Sequence, residues 1–155
     1  MQEHPISLEL ACGALPELWS PRVVGRVNDQ YIKVVRVQGE FPWHTHADED
    51  EMFLVLRGEL RIGRADADGG DVLLRSGEFF VVPSGVRHYT AATMETWVAL
   101  IETITTEHTG GEQTPITRSI ADQLAGFVAS SQDASGNTPS GKEPSGKDPA
   151  SKEPS

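Results

Sequence analysis

Residues Trp43 to Glu51 read WHTHADEDE, two histidines and four acids in nine positions. Imidazole and carboxylate bind divalent metals when neutral ring nitrogens converge at about 2 Å from the ion. Residues two apart in a strand share a face, so His44 and His46 project together. Glu51 lies five residues beyond His46, the wrong parity for one straight strand. A turn through the polar segment Ala47–Asp50 has to return it to that face. Taken alone, the stretch reads better as an acidic surface loop, because histidine is often simply exposed or half-buried.

A second stretch, Gly77 to His88, reads GEFFVVPSGVRH. Phe79–Val82 is a compact apolar strand, Pro83-Ser84-Gly85 is a turn that reverses the chain, and His88 opens the next run. By itself this is ordinary hairpin chemistry. Together, the two stretches place three of the five histidines and one glutamate at strand starts beside turns. Such positions converge at the mouth of a barrel.

The elements that must position these residues are short β-rich runs separated by glycine turns. The pattern predicts strands at Tyr31–Val37, Met52–Leu56, Glu59–Arg64, Asp71–Leu74, Phe79–Val82, His88–Ala91 and Thr96–Ile104. Arg57-Gly58 and Asp68-Gly69-Gly70 read as hairpin turns. Helix signals are confined to the ends, at Ser7–Ala14 and at Ser119–Ala129, where Ser119 can cap the run Ile120, Leu124, Phe127, Val128. The expected class is all-β: an antiparallel sandwich or barrel with short flanking helices.

Gly39–Gly58, GEFPWHTHADEDEMFLVLRG, resembles the first motif of the cupin superfamily, and Gly77–Ala92, GEFFVVPSGVRHYTAA, resembles the second. Gly39 sits one residue closer to His44 than is usual, and Ala92 stands where the motif carries asparagine. Neither departure removes a ligand position. The resemblance covers about Tyr31–Ile104 and implies a single-domain jelly-roll β-barrel. It carries four metal ligands onto His44, His46, Glu51 and His88, and implies one divalent transition metal per chain (Fe, Mn, Ni, Co or Zn). Four protein ligands leave octahedral positions open for a small-molecule substrate or O2. The implied function is a metal-dependent enzyme acting on a small polar metabolite, of dioxygenase, decarboxylase or sugar/keto-acid isomerase type: an oxidoreductase, lyase or isomerase. The alternative is a non-catalytic module that binds a metal or small ligand. Small cupins commonly pair through sheet edges, so a homodimer is expected.

Composition narrows the classes further. The formal net charge of −10 argues against nucleic acid and against an anionic membrane surface. Cys12 is the single cysteine, so there is no intramolecular disulfide and no thiolate cluster. The opening MQEHPISLEL lacks a basic region followed by an apolar run, and no stretch approaches the roughly 20 apolar residues of a membrane span. A cytoplasmic protein is expected. Residues 1–30 read as an N-terminal flank, 31–115 as the barrel, 116–130 as a C-terminal helix and 131–155 as a disordered low-complexity tail. The tail repeats SGNTP, SGKEP, SGKDP and ASKEP without large apolar side chains, so nothing offsets the entropy of ordering it.

Other candidates read as bland. Asp66–Asp71 faintly resembles the start of a calcium loop, but Gly77 occupies the position that needs glutamate. Asp48, Glu49 and Asp50 read as solvated loop acids, one of which could orient a ligand histidine. His4 and His108 read as surface residues. Phe41, Phe53, Phe80 and Trp97 read as core, some of them lining an apolar pocket wall. Arg36, Arg57 and Arg87 are candidate anchors for a substrate carboxylate or phosphate.

Overall fold

A computed structural model describes residues 4–65 and 70–132; the repeat tail and the Asp66–Gly69 part of the calcium-like loop lie outside the described residues. The element order is α1 (Leu8–Gly13), β1 (Arg22–Val27), β2 (Gln30–His44), β3 (Glu51–Arg57), β4 (Glu59–Arg64), β5 (Val72–Arg75), β6 (Phe79–Val82), β7 (His88–Thr103) and α2 (Ile120–Gln132). Every described strand pairing is antiparallel, along the path β1-β2-β7-β3-β6, with β4 joined to β5 and β7. This is the expected all-β jelly-roll barrel with short flanking helices.

Two long strands, β2 and β7, form the backbone of the barrel. β7 fuses two expected runs, His88–Ala91 and Thr96–Ile104, whereas β2 extends the expected Tyr31–Val37 strand on to His44. They pair from Gln30↔Thr103 to His44↔His88, with register shifts at Val37/Gly39 and Phe41/His44. The first shift lets Thr93–Glu95 bulge outward, which leaves Met94 75% exposed. The second matters for the site. Odd-numbered Tyr31, Lys33, Val35, Val37 and Phe41 are all buried, yet so is even-numbered His44, because the irregularity reverses the side-chain alternation just before it.

Two expectations need correction. Arg57-Gly58 is not a hairpin turn. β3 pairs with β7 from Glu51↔Glu102 to Arg57↔Trp97, and β4 continues along the same strand from Arg61↔Ala91 to Arg64↔His88. The chain therefore travels on along β7. Gly58 makes the step at φ +93°, a conformation that favours glycine, and a Cβ there would meet the Thr96 hydroxyl at 2.6 Å. Thr96 fastens the joint from the other side: its hydroxyl donates to the Glu59 carbonyl (3.0 Å) and accepts from the Glu59 N–H (3.2 Å). Second, the segment before residue 30 contributes a strand. β1 pairs with β2 with a bulge between Val23 and Gly25, and the sequence RVVGRV hides it because glycine interrupts the alternation.

Inward residues of both layers form the main core, including Val35, Val37, Val55, Leu60, Ile62, Val82 and Val98. Fully burying such side chains stabilises by about 1.5–3 kcal/mol each. On the outer face, Cys12 and Leu15 from the α1 region pack on Val34 and Ala99, with Trp97 alongside. The cap expected at Ser119 is present, and Ser7 caps the first helix. The Ser7 hydroxyl accepts from the Leu10 N–H, and Ser119 and Asp122 exchange hydrogen bonds as a capping box. No helix among the described residues is long and apolar enough to cross a membrane.

Candidate metal centre

His44 ends β2, His46 lies two residues past that end, Glu51 opens β3 and His88 opens β7. The turn the parity argument requires is present between His46 and Glu51. The structure brings all four side chains together: one ligating atom from each falls within 4.8 Å of the others, and the residues are 1–6% exposed. Glu51 Oε2 sits 3.1 Å from Nε2 of both His46 and His88 and 4.0 Å from Nε2 of His44.

Backbone hydrogen bonds hold these segments together. The Gly85 N–H donates to the His46 carbonyl at 2.7 Å, tying the Pro-Ser-Gly turn to the histidine segment. The loop acids have structural tasks. Asp50 accepts from the Ser84 N–H at 2.8 Å, and Glu49 accepts from the Thr105 hydroxyl at 2.9 Å. Neither bond goes to a histidine. The ring partners are carbonyls: His44 Nδ1–H donates to Pro42 O (2.9 Å), and His88 Nδ1–H donates to Val86 O (3.0 Å). A carbonyl only accepts, so in the neutral rings the proton is on Nδ1 and the lone pair is on Nε2.

That tautomer assignment is the test of whether a cation fits. Burial pushes the His44 pKa down to about 4, so this ring is neutral and offers a lone pair. His46 is also penalised by burial, but the hydrogen bond and charge of Glu51 outweigh it and hold its pKa above the ordinary value. Burial would raise Glu51 too. Hydrogen bonds to His46 and His88 override that and keep the carboxyl below the usual range. Glu51 Oε2 stands 3.1 Å from Nε2 of both His46 and His88, so shared protons or a cation must lie between them, and a divalent ion can take the place of those protons. The donor set fits a divalent transition metal.

Two further charges sit in the barrel, and both escape the motif reading. Lys33 and Glu102 form an ion pair with 1% and 4% of their side chains exposed, and Glu102 stands directly opposite Glu51 across β3 and β7. Burial and the charge of Glu51 push the Glu102 carboxyl up, against the pull of Lys33. Strand parity holds the signal for both. Lys33 alternates with Tyr31, Val35 and Val37, and Glu102 with Val98 and Leu100, all inward positions.

A cavity of about 30 Å³ opens beside the cluster, room for about two waters. His44, Glu51, Thr90 and His108 supply its polar lining; the remainder is apolar, with Phe41, Phe53 and Leu100 among it. Here the surface assignment of His108 is corrected. The loop after β7 folds back over the barrel mouth and sets the ring 5.1 Å from Phe41. His4 is exposed. Trp19, which the sequence does not single out, reaches the cavity from a backbone at φ +56°, a strained conformation for so bulky a residue. Of the four aromatic core candidates, Phe41 and Phe53 line the cavity, Phe80 packs on the main core and Trp97 on the outer cluster. The candidate arginine anchors lie elsewhere. Arg36 pairs with Glu95, Arg57 stacks on Trp97 and Arg87 stacks on Trp43.

A β-barrel that gathers three histidines and a glutamate beside an internal cavity defines the class: an all-β protein with a buried site able to bind metal. The comparisons then place it. The cupin domain family matches residues 32–104. A solved structure of a cupin-2 domain containing protein from Shewanella frigidimarina is 40% identical and aligns over 63% of this chain and 93% of that one, with a TM-score of 0.59. The chain belongs to the cupin family. The uncharacterized protein YdbB of Bacillus subtilis is 34% identical over 73 residues, which span 47% of this chain and 63% of that relative. The chain thus matches less than two-thirds of YdbB's length. Hydroquinone 1,2-dioxygenase from Sphingomonas sp. TTNP3, solved with 4-hydroxybenzoate bound, shares the fold at 15% identity, covering 63% of this chain and 72% of that one with a TM-score of 0.55.

Proposed function

We propose that the protein is a divalent-metal-dependent enzyme, of oxygenase type, acting on a small molecule with an oxygen donor and a largely apolar body. The observation that carries this reading is the buried convergence of His44, His46, Glu51 and His88 beside a cavity whose wall is mainly apolar. A bound divalent ion would supply Lewis acidity toward a coordinated oxygen and, if it were iron or manganese, a site for O2. The chain's own residues do the rest. The carbonyls of Pro42 and Val86 fix two imidazoles in the tautomer that presents Nε2. Phe41, Phe53 and Leu100 exclude water and favour an apolar substrate body.

The lining argues against a sugar or a phosphorylated substrate. Such a ligand needs many hydrogen-bond partners or a fixed cation, and no arginine lines the cavity. The small phenolic acid bound to the Sphingomonas dioxygenase is of the kind this lining would suit. Oxygen uptake tests the reading. Protein reconstituted with Fe(II) is expected to consume O2 with small phenols or enolisable carbonyl compounds, and Glu51→Ala is expected to be silent while keeping its circular dichroism spectrum. Turnover of such compounds without O2 uptake, under Fe(II), Mn(II) or Ni(II), would sink the oxygenase type and leave Lewis-acid chemistry.

A further inference from the structure

We propose that His108 is a substrate-binding residue: its Nε2–H is the donor that receives a second oxygen, preferably an anionic one, of the molecule held at the metal centre. This deepens the functional reading above and rests on it.

Four observations converge. The first is the tautomer. The backbone N–H of Arg118 donates to His108 Nδ1 at 3.1 Å, so that nitrogen carries the lone pair and the ring proton is on Nε2. The second is placement. The ring lines the same cavity as His44 and Glu51 and packs 5.1 Å from Phe41, whose other neighbours include His44 at 5.1 Å and Trp19 at 5.2 Å.

The third is rigidity. Gly110, two residues on, has φ +63°, and a Cβ there would lie 2.2 Å from the carbonyl oxygen of Thr45. Thr45 separates His44 from His46, so the His108 loop is seated on the backbone that carries two of the three site histidines. Only glycine allows that approach. Hydrogen bonds of Thr109 to Thr117 (2.8 Å) and of Thr114 N–H to Thr117 (2.8 Å) brace the same loop.

The fourth is scarcity. The Trp19 indole N–H donates to the Gln38 carbonyl at 3.1 Å, so it is committed elsewhere. That leaves the Thr90 hydroxyl and His108 as the uncharged polar groups of the lining outside the four-residue cluster. Burial lowers the His108 pKa to about 4, so the ring donates as a neutral group near neutral pH. A donor held in an apolar wall rejects ligands that cannot use it, because its hydrogen bond then goes unmade.

The ligand class follows from this geometry. One oxygen faces the four-residue cluster, a second accepts from His108, and an apolar body contacts Phe41, Phe53 and Leu100. Carboxylates, phenolates and enolates meet that description.

The experiment uses the full chain loaded with Co(II), whose visible spectrum reports ligand binding, titrated with formate and with acetate, anions small enough for a cavity of about 30 Å³. Both anions are expected to perturb the parent spectrum. His108→Phe, which keeps the aromatic packing but removes the donor, is expected to bind them about 10-fold or more weakly, with Co(II) affinity and the ligand-free spectrum unchanged. His108→Gln, which restores a donor, is expected to recover part of the loss. Equal anion affinity in His108→Phe, or no response to either anion in the parent, overturns the His108 assignment and leaves the metal centre standing. Failure of the parent to bind Co(II) overturns both.

Discussion

Exchanging Lys33 for methionine is expected to lower the unfolding free energy by about 3–5 kcal/mol at pH 8, measured by chemical denaturation, because it strands a buried carboxylate. Lys33 is 1% exposed and Glu102 3%, so solvent relieves neither charge. The loss should depend on pH with a definite sign. Without Lys33, the folded-state pKa of Glu102 rises further above its unfolded value, so the native state holds a proton that the unfolded chain has already released. Stability then falls as pH rises from the unfolded pKa, near 4.3, toward the folded one. The deficit of the variant should accordingly be smaller at pH 5 than at pH 8. The double variant Lys33→Met/Glu102→Met removes both charges and is expected to recover most of the loss, since a buried ion pair is often replaceable by packed apolar groups. A double variant as unstable as the single one would show that the ion pair itself, and not the unpaired carboxylate, carries the energy.

The second large effect is on metal. His88→Ala is expected to bind divalent ions about 100-fold or more weakly than the parent, by competition with a chromophoric chelator. Changes to groups that merely support a metal ligand already cost about 10–100-fold, and His88 would be a ligand itself. The parent should also unfold at a higher temperature with metal than after chelation, by an amount equivalent to about 2.7 kcal/mol when free metal is 100 times its Kd. His88→Ala should lose that response. If chelation leaves the parent's melting temperature unchanged and His88→Ala lowers it anyway, the four side chains form only a hydrogen-bonded network in which Glu51 needs its imidazole partners.

Why some of this is legible in sequence and some is not comes down to range. His44, His46, Glu51 and His88 lie in the two short stretches that resemble the cupin motifs, and that resemblance singles them out where local geometry alone does not. The turn between His46 and Glu51 follows from strand parity, and the cap of the second helix follows from Ser119. Lys33 and Glu102 are 69 residues apart, and what joins them is the pairing of β2 with β7. Parity marks each as an inward charge but cannot say that they meet. The step at Gly58 is misread because a glycine between two strands usually signals a reversal; here the long strand β7 offers both strands the same edge. His108 lies in an irregular threonine- and glycine-rich loop with no period to read, and only the fit of Gly110 against Thr45 draws it inward. Likewise, the strained backbone that turns Trp19 into the cavity has no local marker.

The central claim is that His44, His46, Glu51 and His88 together hold one divalent metal. X-ray absorption spectroscopy of the full chain loaded with a single equivalent of Co(II) or Zn(II) tests it most directly. The expected result is stoichiometric loading, with a first shell containing three imidazoles, the remaining ligands being oxygen from Glu51 and solvent. A shell with fewer than three imidazoles, or loading that stays well below one ion per chain, would contradict it.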